Sequence, residues 1–117
     1  DPGGYTLVAK FESIGDLEPG GDVRLSGIRI GQILSLELDP VSFRAEVRFS
    51  VLNDIELPAD SSAQIVSASL LGGKYLSITP GGDDVVLADG GEIEYTQSAV
   101  NFEDLLGQFI FSQSSSE

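Results

Sequence analysis

The sequence predicts an all-β domain, a small closed β-barrel, followed by one amphipathic helix. Between Tyr5 and Thr96, short runs of alternating apolar and polar residues are separated by clusters of Gly, Pro, Asp and Asn, which is the pattern of short strands joined by tight turns. Many short strands punctuated in this way suggest a small closed barrel. Beyond Asn101 the apolar period changes from that of a strand to that of a helix. The chain is 117 residues long, enough for a single core. The expected layout is a barrel over 1–97, a helix over 98–111 and a disordered Ser-rich tail over 112–117.

In the first strand Tyr5, Leu7, Ala9 and Phe11 alternate with Thr6, Val8, Lys10 and Glu12. Glu18-Pro19-Gly20-Gly21-Asp22 reads as a turn, and Val23 to Leu25 as a short strand. Ile28, Ile30, Leu34, Leu36 and Leu38 share one parity in the next run, and bends or bulges are expected at Gly27 and Gly31. After the Asp39-Pro40 loop, Phe43, Ala45, Val47, Phe49 and Val51 alternate with Arg44, Glu46, Arg48 and Ser50. These two strands are the most strongly predicted hairpin. Leu57-Pro58-Ala59-Asp60 leads into a strand from Ala63, and another runs from Tyr75 to Thr79.

Between that last pair lies Ser69-Leu70-Leu71-Gly72-Gly73-Lys74, with Gly72-Gly73 read as the turn and expected to supply torsions closed to branched residues. If the strand runs through Leu70 and Leu71, one leucine reaches the core and the other points away; if both sit in the loop, both are exposed. They either find cover against a neighbouring loop or form an apolar tip kept for a partner or a greasy ligand. Pro80-Gly81-Gly82-Asp83-Asp84 and Asp89-Gly90-Gly91 are turns bracketing a run at Val85-Val86-Leu87, and a last strand covers Glu92 to Thr96. Phe102, Leu105, Leu106, Phe109 and Ile110 then fall at i, i+3, i+4, i+7 and i+8, the stripe of an amphipathic helix. Ser98 or Asn101 can cap it, and Glu103 and Asp104 suit its first turn. That helix either packs on its own barrel or docks on another subunit. The stripe is larger than so small a barrel needs, which favours a part in assembly.

Charge narrows the partners. The net charge is −13, with six Lys and Arg and none after Lys74. Nucleic acid is excluded for want of basic clusters, and so is adhesion to anionic headgroups through a basic patch; a basic partner fits better. There is no His or Cys, so the common general bases, thiol nucleophiles and zinc ligands are missing. No metal or cofactor is expected, and Asp83-Asp84 reads as a solvated turn rather than a cation loop. Gly73-Lys74 lacks the flanking residues of a phosphate loop. A dyad of Lys74 with Ser69 or Ser77 is arithmetically open, but nothing in the spacing positions it. The chain reads as a binding or conducting module, with no catalytic residues. No apolar run approaches the roughly 18 residues of a membrane-spanning helix.

Several stretches in order together carry a resemblance. Val23-Arg24-Leu25-Ser26-Gly27-Ile28-Arg29-Ile30-Gly31-Gln32-Ile33, then Leu57-Pro58 and Ser69-Leu70-Leu71-Gly72-Gly73-Lys74-Tyr75-Leu76, resemble the mammalian-cell-entry (MCE) domain family. The ending Leu87-Ala88-Asp89-Gly90-Gly91-Glu92-Ile93, Thr96-Gln97-Ser98-Ala99 and Glu103-Asp104-Leu105-Leu106-Gly107-Gln108-Phe109 resembles the single-domain members that serve bacterial phospholipid ABC transporters. The resemblance implies a seven-stranded barrel that forms a homohexameric ring. The loop after the fifth strand would line a central hydrophobic pore, placing Leu70 and Leu71 at the pore and Gly72 and Gly73 in the pore loop. It further implies a periplasmic domain, anchored to the inner membrane by a helix before the first strand. That domain would sit above a permease and ATPase, exchange phospholipid with a soluble periplasmic carrier and help maintain outer-membrane lipid asymmetry. The abrupt start at Asp1-Pro2-Gly3-Gly4 fits a trimmed segment. The competing reading is a monomeric barrel module that binds a soluble ligand or protein through its loops.

Overall fold

A computed structural model describes residues 4–69 and 72–99. Its strands are β1 (Gly4–Phe11), β2 (Asp22–Leu25), β3 (Ile28–Leu38), β4 (Ala45–Leu52), β5 (Ser62–Ser67), β6 (Lys74–Thr79), β7 (Glu92–Ile93) and β8 (Tyr95–Gln97). They form one sheet in the order β7-β1-β4-β3-β2-β6-β5-β8. The two ends of that order are separated in sequence by Glu94 alone. β7 pairs in parallel with β1 through Val8↔Glu92 and Ala9↔Ile93, and β8 pairs in parallel with β5 through Ser62↔Tyr95, Ala63↔Thr96 and Gln64↔Gln97. One short bent segment therefore bridges both edges, and the sheet becomes a nearly closed barrel in which edge N–H and C=O groups find partners. Taken as one, 92–97 is the seventh strand of the expected barrel. The predicted helix and tail lie outside the described residues, apart from Ser98 and Ala99.

The core follows from period-two alternation. Leu7, Ala9 and Phe11 of β1 and Val47, Phe49 and Val51 of β4 are buried, in the antiparallel register Leu7↔Phe49, Ala9↔Val47 and Phe11↔Ala45. Ile65 and Leu76 face each other across β5 and β6, as do Ala63 and Ile78, and all four are buried. Each of the larger side chains contributes about 1.5–3 kcal/mol on leaving water. The filling is apolar throughout, with only Ser50 and Ser61 as buried polar residues among those described.

Three details differ from the sequence pattern, each for a local reason. In β3 the inward residues are Ile30, Ile33 and the half-buried Leu36, whereas Ile28, Leu34 and Leu38 are exposed. Register shifts opposite Val23/Arg24 and between Ile33 and Ser35 insert extra residues, and each insertion flips the side-chain parity. Gly27 is not a bulge inside a strand: with Ser26 at φ 55° and Gly27 at φ 81° it forms the two-residue turn between β2 and β3. Phe43 lies outside β4, in left-handed backbone at φ 61°, because the loop is organised by Asp39. The Asp39 carboxylate accepts from the Val41 N–H at 2.9 Å, while the Asp39 carbonyl accepts from Phe43 N–H at 2.8 Å and its N–H donates to the Arg44 carbonyl at 2.9 Å. The run Val85-Val86-Leu87 makes a single bridge, Val86 to Pro58, flanked by Ala59 N–H to the Val85 carbonyl and Leu87 N–H to the Leu57 carbonyl. Proline has no N–H with which to extend the ladder.

Two carboxylates hold the loops and give the fold an acid limit. The Asp60 side chain accepts from the N–H groups of Asp83 at 3.0 Å and Gly82 at 3.1 Å, and these bonds, Asp83 foremost, lower its pKa. Asp39 is held well below the usual carboxylate range by the Val41 N–H and then by Lys10, whose ammonium lies 3.0 Å away. A lowered folded pKa means stabilisation that is present above the ordinary value near 3.9 and is lost as pH falls through the folded value. Thermal unfolding scans should therefore be flat from neutral pH to about 5 and fall below about 4. Asp60→Asn should lower the midpoint at neutral pH and lessen the acid slope; an acid slope identical to that of the parent would remove Asp60 from this role.

Candidate functional site

The hairpin of β5 and β6 runs in register from Ser62↔Thr79 to Ser67↔Lys74 and continues beyond both strands. Ala68 N–H donates to the Gly73 carbonyl at 2.9 Å, and Gly72 N–H donates to the Ser69 carbonyl at 3.3 Å. The residues enclosed by this last bond in sequence are Leu70 and Leu71, which lie outside the described residues. Gly73 therefore belongs to the hairpin ladder, opposite Ala68. Gly73 is a ladder partner outside the left-handed region, with open space where a Cβ would be. The expected closed torsions are therefore not needed at Gly73. At Gly72 a Cβ would press on the Ser69 hydroxyl.

The base of this tip is fixed by contacts that local sequence does not announce. The Lys74 ammonium lies 3.4 Å from the Asp16 carboxylate and donates to the Ser67 hydroxyl at 3.3 Å, with its side chain only 14% exposed. Its stem passes over Gly15, at φ 61°, where a Cβ would come within 2.8 Å of Lys74 Cε. On β2, the Arg24 guanidinium sits 4.2 Å from the centre of the Tyr75 ring, a contact of about 0.5–1 kcal/mol. Loop 12–21 and β2 thus hold the hairpin from its sides. Lys74 is engaged with Asp16 and Ser67, not with Ser69 or Ser77, so the arithmetic dyad is not assembled.

The rest of the described surface offers little chemistry. Asp83 is used within its turn, accepting from Val85 N–H at 3.1 Å, and no group of three acidic side chains among the described residues is placed to hold a metal. The groove lined by Arg44, Gln64, Glu94, Tyr95 and Thr96 is open and polar. Every buried side-chain N or O among the described residues has a partner. The predicted helix residues Phe102, Leu105, Leu106, Phe109 and Ile110 lie outside the described residues.

Comparison with known proteins bears on the whole barrel. The family model described as MlaD protein matches residues 3–81. The chain is 34% identical over 117 residues to the intermembrane phospholipid transport system binding protein MlaD of Haemophilus influenzae, covering 97% of this chain and 70% of that protein. Its identity to the protein of the same name from Escherichia coli K12 is also 34%, over 92% of this chain and 62% of the relative. Among solved structures, a chain of the Acinetobacter MlaFEDB complex in an ATP-bound conformation superposes with a TM-score of 0.83 at 26% identity, covering 91% of this chain and 81% of that one. Barrel, hairpin and sequence agree, and the chain belongs to the MlaD protein family, within the MCE domain fold that its sequence resembles.

Proposed function

We infer that this chain is a non-enzymatic ring subunit of a phospholipid transport system. In this reading its hairpin tips, carrying Leu70 and Leu71, line a shared apolar passage. The names of its relatives support the system, and one observation carries the mechanism: the barrel interior is filled. Phe11, Phe49, Leu7, Ile33, Leu57, Leu76 and Ile93 are all fully buried in it. An acyl chain therefore has no path along the barrel axis and must travel outside it, between copies. Tips repeated around a rotation axis would give a narrow apolar collar, which is what acyl chains need and which requires no fixed polar site. Gly72, closing on Ser69, and Gly73, paired with Ala68, would then be the backbone that carries the collar.

The partners follow from this role. The chain works in the periplasm beside an ABC permease and ATPase that supply the energy, and passes phospholipid between the inner membrane and a soluble carrier. An anchoring helix would precede the first strand. Mass measurement in solution tests the ring, with six copies expected. A monomer in solution would favour a loop-binding module.

Assembly also gives the predicted helix a task. Ending the chain after Gln97 is expected to weaken the ring while the far-ultraviolet β signal stays unchanged. An unaltered oligomer mass would show that the stripe from Phe102 to Ile110 only covers its own subunit.

A further inference from the structure

Six Lys and Arg stand against 19 Asp and Glu in this chain, so a cation without an acidic partner is conspicuous. Lys10, Arg24, Arg29, Arg48 and Lys74 each meet a carboxylate. Arg44 meets none among the described residues. Its guanidinium is nevertheless held in place. Nη2 donates to the Lys10 carbonyl at 2.8 Å and to the Thr96 hydroxyl at 3.5 Å, and that hydroxyl itself donates to the same carbonyl at 2.8 Å. Nε and Nη1 are left without an acceptor among the described residues.

Arg44 lines a groove of about 480 Å³ beside β5 and β8, at the seam where 92–97 closes the barrel. That size suits a small ligand. The same groove is lined by Glu94, the residue between β7 and β8, which is exposed and has no cationic partner among the described residues. Two opposite charges thus share one groove without meeting. Tyr95, 59% exposed, adds an aromatic face, and exposed Gln64 and Gln97, paired across β5 and β8, add amides.

We propose that this groove takes the zwitterionic headgroup of a phospholipid, an aminoalkyl phosphodiester, with Arg44 on the phosphate and Glu94 and Tyr95 on the ammonium. The proposal rests on the reading of the chain as a phospholipid-transport subunit and adds the headgroup class. A guanidinium already fixed through one nitrogen loses little freedom when its other nitrogens bind a phosphate. A carboxylate beside an aromatic face suits an ammonium. A purely anionic ligand would meet Glu94 and a net charge of −13, and a purely cationic one would meet Arg44; a ligand carrying both charges satisfies both. What adjoins the groove favours a lipid over a free headgroup. Phe43, one residue and about 3.8 Å along the backbone from Arg44, is 74% exposed, and Val41 is 86% exposed. The bonds to Asp39 fix this loop, so acyl chains would find a standing apolar surface beside the headgroup, outside the filled barrel.

Amide NMR of the full chain, titrated with dihexanoyl phosphatidylethanolamine below its micelle concentration, should show saturable shifts at Arg44, 62–64 and 94–97. Arg44→Gln and Glu94→Gln should each weaken binding about fivefold. Glu94 is exposed, so its variant should melt with the parent and tests the site even if Arg44→Gln loosens the loop. Dihexanoyl phosphatidylglycerol keeps the phosphodiester and lacks the ammonium. It should bind the parent about fivefold more weakly, and bind more tightly once Glu94→Gln removes the repulsion, a reversal of sign that a merely structural role would not produce. The headgroup without chains, sn-glycero-3-phosphoethanolamine, should bind more weakly than the lipid. Absent shifts at these residues, equal affinity for the two lipids, or affinity unmoved by Glu94→Gln overturns the proposal, and equal affinity for the bare headgroup overturns its assignment to lipid. Such a failure leaves the collar standing. Saturable shifts here in a chain that neither forms a ring nor transfers phospholipid would keep the groove and remove the transport reading.

Discussion

Asp in place of Leu70, or of Leu71, is expected to leave the barrel folded and the ring assembled while phospholipid transfer is lost. On the proposed collar each substitution puts one carboxylate per subunit around a single axis. An acyl chain passing that ring forces the carboxylates to lose water, at several kcal/mol even for one of them. Since about 1.4 kcal/mol is tenfold in rate, transfer should fall on the order of a hundredfold or more. The fold should be spared because, among the described residues, the hairpin's buried contribution comes from Ala63, Ile65, Leu76 and Ile78, below the tip. Leu76→Asp is the matched control: that side chain is fully buried, and an unpaired charge there should unfold the subunit. Thermal unfolding, oligomer mass and phospholipid transfer by the full-length protein would be measured on all three variants. Collapse of the fold at position 70 or 71, or transfer that survives both substitutions, would sink the collar.

What could be read from the sequence was what local periodicity encodes. β1 and β4 were legible because each buries one face along its whole length, so Leu7, Ala9, Phe11, Val47, Phe49 and Val51 declare themselves by alternation. β3 was legible as a strand but not in its facing, because two inserted residues shift which leucines and isoleucines point inward. Closure by 92–97 was hidden for another reason: parallel pairing with β1 and β5 joins residues far apart in the chain, and alternation carries no record of such partners. The candidate site divides the same way. Two adjacent leucines beside a glycine pair are conspicuous, but the pairing of Gly73 with Ala68 and the Lys74 contacts with Asp16 and Gly15 leave no local signal. Phe43 was misread because Asp39 captures the loop backbone, and three specific hydrogen bonds outweigh the strand preference of one aromatic residue.

Gly31→Ala is expected to be the most damaging glycine substitution in the barrel, at a cost of about 3 kcal/mol. Gly31 has ordinary backbone torsions, so conformational freedom is not the reason. A Cβ there would collide with the Ser50 carbonyl oxygen, with the carbonyl carbon 2.6 Å away and Val51 Cα at 3.3 Å. These are backbone atoms of the adjacent central strand and cannot rotate aside. Relief would require β3 and β4 to part where the Ser50 hydroxyl accepts from Gln32 N–H at 3.1 Å and donates to the Gln32 carbonyl at 3.4 Å, exposing polar groups now buried. Gly27→Ala differs in kind: it meets nothing within 4 Å but must hold φ 81°, a strain of about 1 kcal/mol. Gly73→Ala, with neither crowding nor positive φ, should be close to neutral. For a domain of this size about 1 kcal/mol moves the midpoint by roughly 4–8 °C, so thermal unfolding followed by circular dichroism should separate the three variants. If Gly31→Ala melts no lower than Gly27→Ala, the two central strands do not approach as closely as the Gly31–Ser50 contact requires.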